Sequence, residues 1–196
     1  MKIPLTSFID FALRSGSPKL TCAQKIKDQL GKTYDPIEDY YKRFRKAVRE
    51  LHREGLPKND LPNIIGELPA NKVVNYGKMA DGYKKFLGKK NATYFTPSRK
   101  IWKYDSLEIP VNPELGLEWN GTKYLIKLYL KADKPSKDRL MSILALMKHC
   151  VGTSSVVCSV LDVRNSKLYE FEDPMSKMMP LIEGEANALA SILGKI

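Results

Sequence analysis

Two residues of opposite charge, Glu114 and Lys127, are the first candidates for chemistry in this chain, and a turn signal between them sets their relation. Asn120-Gly121 lies between two alternating segments within Leu107 to Ala132, LEIPVNPELGLEWNGTKYLIKLYLKA. An Asn-Gly pair favours a tight type I′ hairpin, because that turn needs positive φ at both central residues. With those two as the loop, Trp119 faces Thr122, Glu118 faces Lys123, Leu117 faces Tyr124, Gly116 faces Leu125, Leu115 faces Ile126 and Glu114 faces Lys127. Strand side chains alternate, so Leu115, Leu117, Trp119, Tyr124, Ile126, Leu128 and Leu130 share one face and Glu114, Glu118, Lys123, Lys127 and Lys131 the other. The first face is core. On the second, a carboxylate beside an ammonium can hold a divalent cation and orient water, with Glu118 as a further acid. The same pairs can also do no more than solvate a sheet face, at about 0.2–1 kcal/mol each.

A second set of candidates is cationic. A helix opened by Asp35-Pro36 carries Ile37, Tyr40, Tyr41, Phe44, Val48 and Leu51 at helical spacing until Gly55. Lys42, Arg43, Arg45, Lys46, Arg49 and Arg53 fall on the rest of its circumference, and phosphate contact is expected of Lys42, Arg43, Lys46, Arg49 and Arg53. Lys84, Lys85, Lys89 and Lys90 follow, and Tyr94, Phe95 and Trp102 stand near Arg99, Lys100 and Lys103. Cations interleaved with aromatics neutralise phosphates and stack bases, so these residues are candidates for nucleic-acid contact. A solvated helix face and a buried aromatic core are the plainer alternatives.

The whole chain, 196 residues with 43% hydrophobic and 28% charged content, suits a globular protein with a real core. The net charge is +11. Residues 1–95 hold 19 Lys+Arg against 10 Asp+Glu, and residues 96–196 hold 14 against 12, so the basic character is N-terminal. Cys22, Cys150 and Cys158 are odd in number and lack CxxC spacing, which indicates neither a disulfide framework nor a zinc site. No secretory signal or membrane span is read, and the cytoplasm is the expected location. No GxxxxGK[ST], GxGxxG, GxSxG or HExxH occurs, which excludes the P-loop, dinucleotide, α/β-hydrolase and zincin motifs. His52 and His149 are expected to be satisfied or exposed, and a dyad of Cys150 with His149 is disfavoured because adjacent helical residues do not face each other.

The elements divide into a basic helical region, 1–92, and an α/β domain, 93–196, with the central hairpin at 114–131. The first reads as helices over Leu5 to Arg14, Thr21 to Leu30 with a Thr21/Gln24 capping box, the Asp35-Pro36 helix, Asp60 to Leu68 and Asn71 to Leu87. Gly77 and Gly82 weaken the last of these. The second reads as extended chain from Ile101 to Val111, the hairpin, a buried helix capped by Ser136, a doubly covered strand from Ser155 to Val163, a strand from Lys167 to Phe171 and an amphipathic helix from Ser176 with Leu181, Ile182, Leu189 and Leu193. This is an α+β fold with a mixed sheet in the order β-β-β-α-β.

That order, with Pro113-Glu114 on one strand and Lys127 on the next, resembles the PD-(D/E)XK nuclease-like superfamily. The resemblance implies that Glu114 and a second acid hold Mg²⁺ for attack of water on a phosphodiester, with Lys127 beside them. The second acid falls at position 125, which is Leu125. The motif is therefore degenerate unless Glu118, Asp138, Asp105, Glu108 or Asp162 supplies a displaced acid. The phrase NPELGLE…IKLY is also similar to one in uncharacterised bacterial proteins, which implies no activity. Three readings follow: a nucleic-acid-binding protein with a degenerate nuclease-like domain, needing no cofactor to bind; an active metal-dependent nuclease; and a non-catalytic protein-interaction or assembly protein.

Overall fold

The computed structural model describes residues 1–31 and 39–196. Among these the chain runs α1 (Leu5–Ala12), α2 (Gly16–Leu30), α3 (Lys42–Arg53), α4 (Leu61–Ile65) and α5 (Ala70–Leu87), then β1 (Thr93–Phe95), β2 (Lys100–Tyr104), β3 (Leu107–Val111), β4 (Leu115–Trp119) and β5 (Thr122–Tyr129). α6 (Lys137–Val151), β6 (Val157–Asp162), β7 (Lys167–Glu170) and α7 (Met179–Leu193) complete it. The fold is the expected α+β arrangement, helices first and a mixed sheet after them. No helix of the described residues is long and apolar enough to cross a membrane.

The main sheet has the order β1-β4-β5-β6-β7, with β5 and β6 parallel across α6 and the other pairs antiparallel. At its centre the Asn120-Gly121 turn has φ of 51° and 75°, the positive pair a type I′ loop requires. The β4–β5 ladder runs from Trp119 opposite Thr122 to Leu115 opposite Ile126, in the register read from the turn. One residue further, Glu114 N–H donates to Ile126 O at 2.9 Å. Gly116 is needed where β1 pairs with β4: it stands opposite Phe95, and a Cβ there would lie 2.4 Å from Phe95 O.

Alternation along β4, β5 and β6 builds two cores. Leu115, Leu117, Ile126, Leu128 and Leu161 pack with α3, α4 and α5 through Phe44, Leu51, Leu61, Tyr76 and Tyr83. Leu125, Tyr129, Cys158 and Val160, on the opposite face, pack with α1, α2, α6, α7 and the β2–β3 hairpin through Phe8, Ala23, Leu144, Leu189 and Ile109. The helices of residues 1–92 are thus shared between the two faces, α1 and α2 on one and α3 to α5 on the other. The hairpin face carrying Glu114 and Lys127 is roofed by this second core instead of open to water.

Several boundaries differ from the sequence expectation. α2 begins at Gly16, with Pro18 accepted in its first turn, so Thr21 lies inside the helix and bonds back to Ser17 O instead of forming a capping box. Tyr40 and Tyr41 form a turn ahead of α3. Asp35, Pro36 and Ile37 lie outside the described residues. The extended stretch over Ile101 to Val111 is a hairpin turned at Asp105, in a sheet of its own. Ser136 caps α6 as read, its hydroxyl accepting from Arg139 N–H at 3.2 Å. Leu181 is 57% exposed, because α7 buries Ile182, Ala186, Leu189 and Leu193 and turns Leu181 outward.

Candidate functional site

β4 begins at Leu115, opposite Ile126, whereas β5 continues to Tyr129, so the β5 backbone beyond that pair needs new partners along the edge. Glu114 supplies one. Its Oε2 accepts from Leu128 N–H at 2.8 Å, so a side chain takes the place of a strand carbonyl. Its Oε1 lies 2.5 Å from Lys127 Nζ, which also donates to Asn112 O at 3.2 Å. Glu114 is 8% exposed, so the pair is held largely away from water. A buried carboxylate in this position is neutralised by its ammonium and satisfied by the peptide N–H, the two conditions that make burial of a charge tolerable.

The register thus brings Glu114 and Lys127 together, as the sequence spacing requires. It does not bring Glu118 to them. Glu118 pairs with Lys123 at 3.9 Å nearer the turn, about 13 Å along the strand from Glu114 at strand rise. Leu125 is 1% exposed within the apolar core under α6. The alternative acids are engaged elsewhere or solvated. Glu108 pairs with Lys103 at 3.3 Å, and Asp138 is exposed in the first turn of α6. Asp162, though buried, accepts from Asn165 N–H at 3.3 Å and from the Asn165 amide at 2.8 Å, organising the β6–β7 turn. For Mg²⁺ the donor set at Glu114 is thus one carboxylate, already carrying an ammonium; among the described residues no group of three or more His, Cys, Asp and Glu converges.

A charged cluster that sequence reading missed lies at the far end of β5. Asp10 of α1 accepts from Arg139 Nη2 at 2.5 Å and from Lys131 Nζ at 3.1 Å on both carboxylate oxygens. No local signal connects residues so far apart in the chain; the contact exists because α1 packs beside α6.

The cations of α3 occupy the flank opposite Phe44, Val48 and Leu51. Lys42, Arg43, Lys46 and Arg53 are exposed, and Arg49 is half-buried with its Nε buried and without a hydrogen-bond partner among the described residues. Arg53 pairs with Glu54 at 2.8 Å and Arg43 donates to Glu67 O at 2.5 Å. Arg99 and Lys100 are exposed too, but beside the β2–β3 hairpin on the other side of the sheet from α3. Trp102 does not extend that group as a stacking platform. It is 6% exposed, stacked on Tyr104 and packed near Phe8.

The remaining nucleophiles and bases are quiet. Burial pushes the Cys150 and Cys158 thiols up to about 11, so neither is a thiolate at neutral pH, and His149 beside Cys150 in sequence is exposed. His52 lies 2.6 Å from the Tyr83 hydroxyl and its pKa is lowered by burial to about 4, which keeps it neutral.

Compared with protein-family models, with curated proteins and with solved structures, the chain finds no match in any of the three.

Proposed function

We propose that this chain binds nucleic acid through its basic helical segment and that its nuclease-like α/β domain is degenerate. The observation that carries the reading is the charge on α3. Lys42, Arg43, Lys46 and Arg53 stand exposed along one flank, and of these only Arg53 has a carboxylate within ion-pair distance among the described residues. Cations left without acidic partners are available to displace counterions from a phosphate backbone. Degeneracy is supported by Leu125, whose apolar surroundings leave no oxygen donor at the second acid position, and by Glu114, which serves Lys127 and the β5 backbone.

The test is fluorescence anisotropy with labelled duplex and single-stranded oligonucleotides across a salt series. Binding that weakens steeply with salt, and less steeply in Lys42→Glu/Lys46→Glu, is the expected result. Binding that is absent at low salt, or indifferent to it, overturns the reading.

The adjacency of Glu114 and Lys127 favours a second reading, a metal-dependent nuclease with a displaced acid. A plasmid-nicking assay with Mg²⁺ or Mn²⁺ decides it. Activity that survives both Glu114→Ala and Lys127→Ala removes these residues from any mechanism.

A further inference from the structure

A second cationic feature lies on α5. α5 carries Lys78 and Lys85 two turns apart on one face, with Gly82 between them. The turn after β6 seats on that glycine. A Cβ at residue 82 would stand 2.1 Å from Val163 O and 3.0 Å from Arg164 O, and Ser166 Oγ donates to Gly82 O at 2.7 Å. Only glycine lets the turn come this close, and the approach sets Arg164 facing the two lysines.

The result is a cleft of about 590 Å³ lined by Lys78, Lys85, Arg164, Asn165, Ser166 and the single acid Asp81. Asp81 is paired with Lys84 at 2.9 Å. No carboxylate of the described residues lies within 4 Å of the Lys78, Lys85 or Arg164 nitrogens, since none of the three enters an ion pair. Arg164 is also pre-positioned. Its Nε donates to Leu130 O at 3.2 Å and its Nη2 reaches Asn75 Oδ1 at 3.4 Å, which fixes the guanidinium plane while leaving N–H groups of both terminal nitrogens for a ligand. A guanidinium anchored by two hydrogen bonds, beside two exposed ammonium groups, matches the charge and the several acceptor oxygens of a phosphate group.

The geometry points to a phosphate-binding cleft between α5 and the β6–β7 turn, holding backbone phosphates of nucleic acid. The identity of the phosphate donor rests on the function proposed above; the cleft itself does not. The two ideas separate in one experiment on the full chain, using Lys78→Glu/Lys85→Glu, whose exposed positions leave the core untouched, with circular dichroism melts as the folding check. A labelled duplex oligonucleotide and inorganic tripolyphosphate are the two probes. The expected result is at least about a ten-fold loss of oligonucleotide affinity, a salt slope shallower by about two, and loss of tripolyphosphate competition. Tripolyphosphate binding that depends on Lys78 and Lys85, with no oligonucleotide binding by the native chain, sustains the cleft and overturns nucleic acid as its ligand. Oligonucleotide binding with unchanged affinity and slope in the variant overturns the cleft and leaves the nucleic-acid reading standing. Binding of neither probe overturns both.

Discussion

Lys127 Nζ stands 2.5 Å from Glu114 Oε1, across a ladder whose last paired residues are Leu115 and Ile126. The same carboxylate accepts from the next peptide N–H of β5, so the ion pair is also an edge cap for the sheet. Replacing Glu114 by Gln keeps an acceptor for Leu128 and leaves Lys127 without its counter-charge. The expected loss of stability is about 2–4 kcal/mol, because breaking a buried pair costs more than the pair contributes. In a double-mutant cycle with Lys127→Met, denaturant unfolding is expected to give a coupling of about 1–3 kcal/mol. A coupling near zero contradicts the structural role.

Leu125 tests the same face from the inside. Leu125→Asp puts a carboxylate into the apolar core under α6 and is expected to lower stability by about 3 kcal/mol or more. Thermal melts measure it. A variant as stable as the native chain, with enhanced response to Mg²⁺, indicates that position 125 reaches water and can serve a metal.

The imidazole of His52 makes stability pH-dependent. Burial lowers its pKa from 6.5 to about 4 in the folded chain, whereas an unfolded chain takes the proton near 6.5. Between those values the unfolded state binds more protons, so the contribution is complete above pH about 6.5, falls as pH falls, and is lost below about 4. Its size is on the order of 3 kcal/mol. His52→Gln retains a partner for the buried Tyr83 hydroxyl and removes the titration. Urea midpoints for that variant are expected to flatten across this window; a profile identical to the native one assigns the dependence to other groups.

Gly82 is where α5 touches the β6–β7 turn. Gly82→Ala favours helix locally, by up to about 1 kcal/mol, and forces a methyl against Val163 O. Overpacking against backbone wins, with a net loss of about 1–3 kcal/mol. Calorimetry checks the sign. The same change at Gly77, where a Cβ meets nothing within 4 Å, is expected to stabilise the chain.

Local signals carried a large part of the architecture. Asn120-Gly121 determined a register by itself, because a two-residue loop leaves the flanking strands one pairing and their alternation one buried face. Ser136 announced the start of α6 because a cap acts within one turn. Glu114 and Lys127 were legible as neighbours for the same reason. The glycines of α5 misled in one direction only: weak helix propensity lowered the expectation of a helix, and tertiary packing at Gly82 is what requires the residue there.

What the tertiary structure alone decided is where those elements lie against one another. Sequence placed Glu114 and Lys127 on one face, but α6 and the β2–β3 hairpin determined that this face is roofed by a second core, turning a prospective open site into a nearly buried ion pair. Asp10 meets Lys131 and Arg139, and Lys78 and Lys85 share a cleft with Arg164, only after helices from the first half of the chain pack on opposite faces of a sheet from the second. Periodicity specifies which side of an element is buried, because that is a property of its own few residues. It carries no term for the partner that buries it, since that choice is settled by the summed burial of both cores and the close approach permitted at positions such as Gly82.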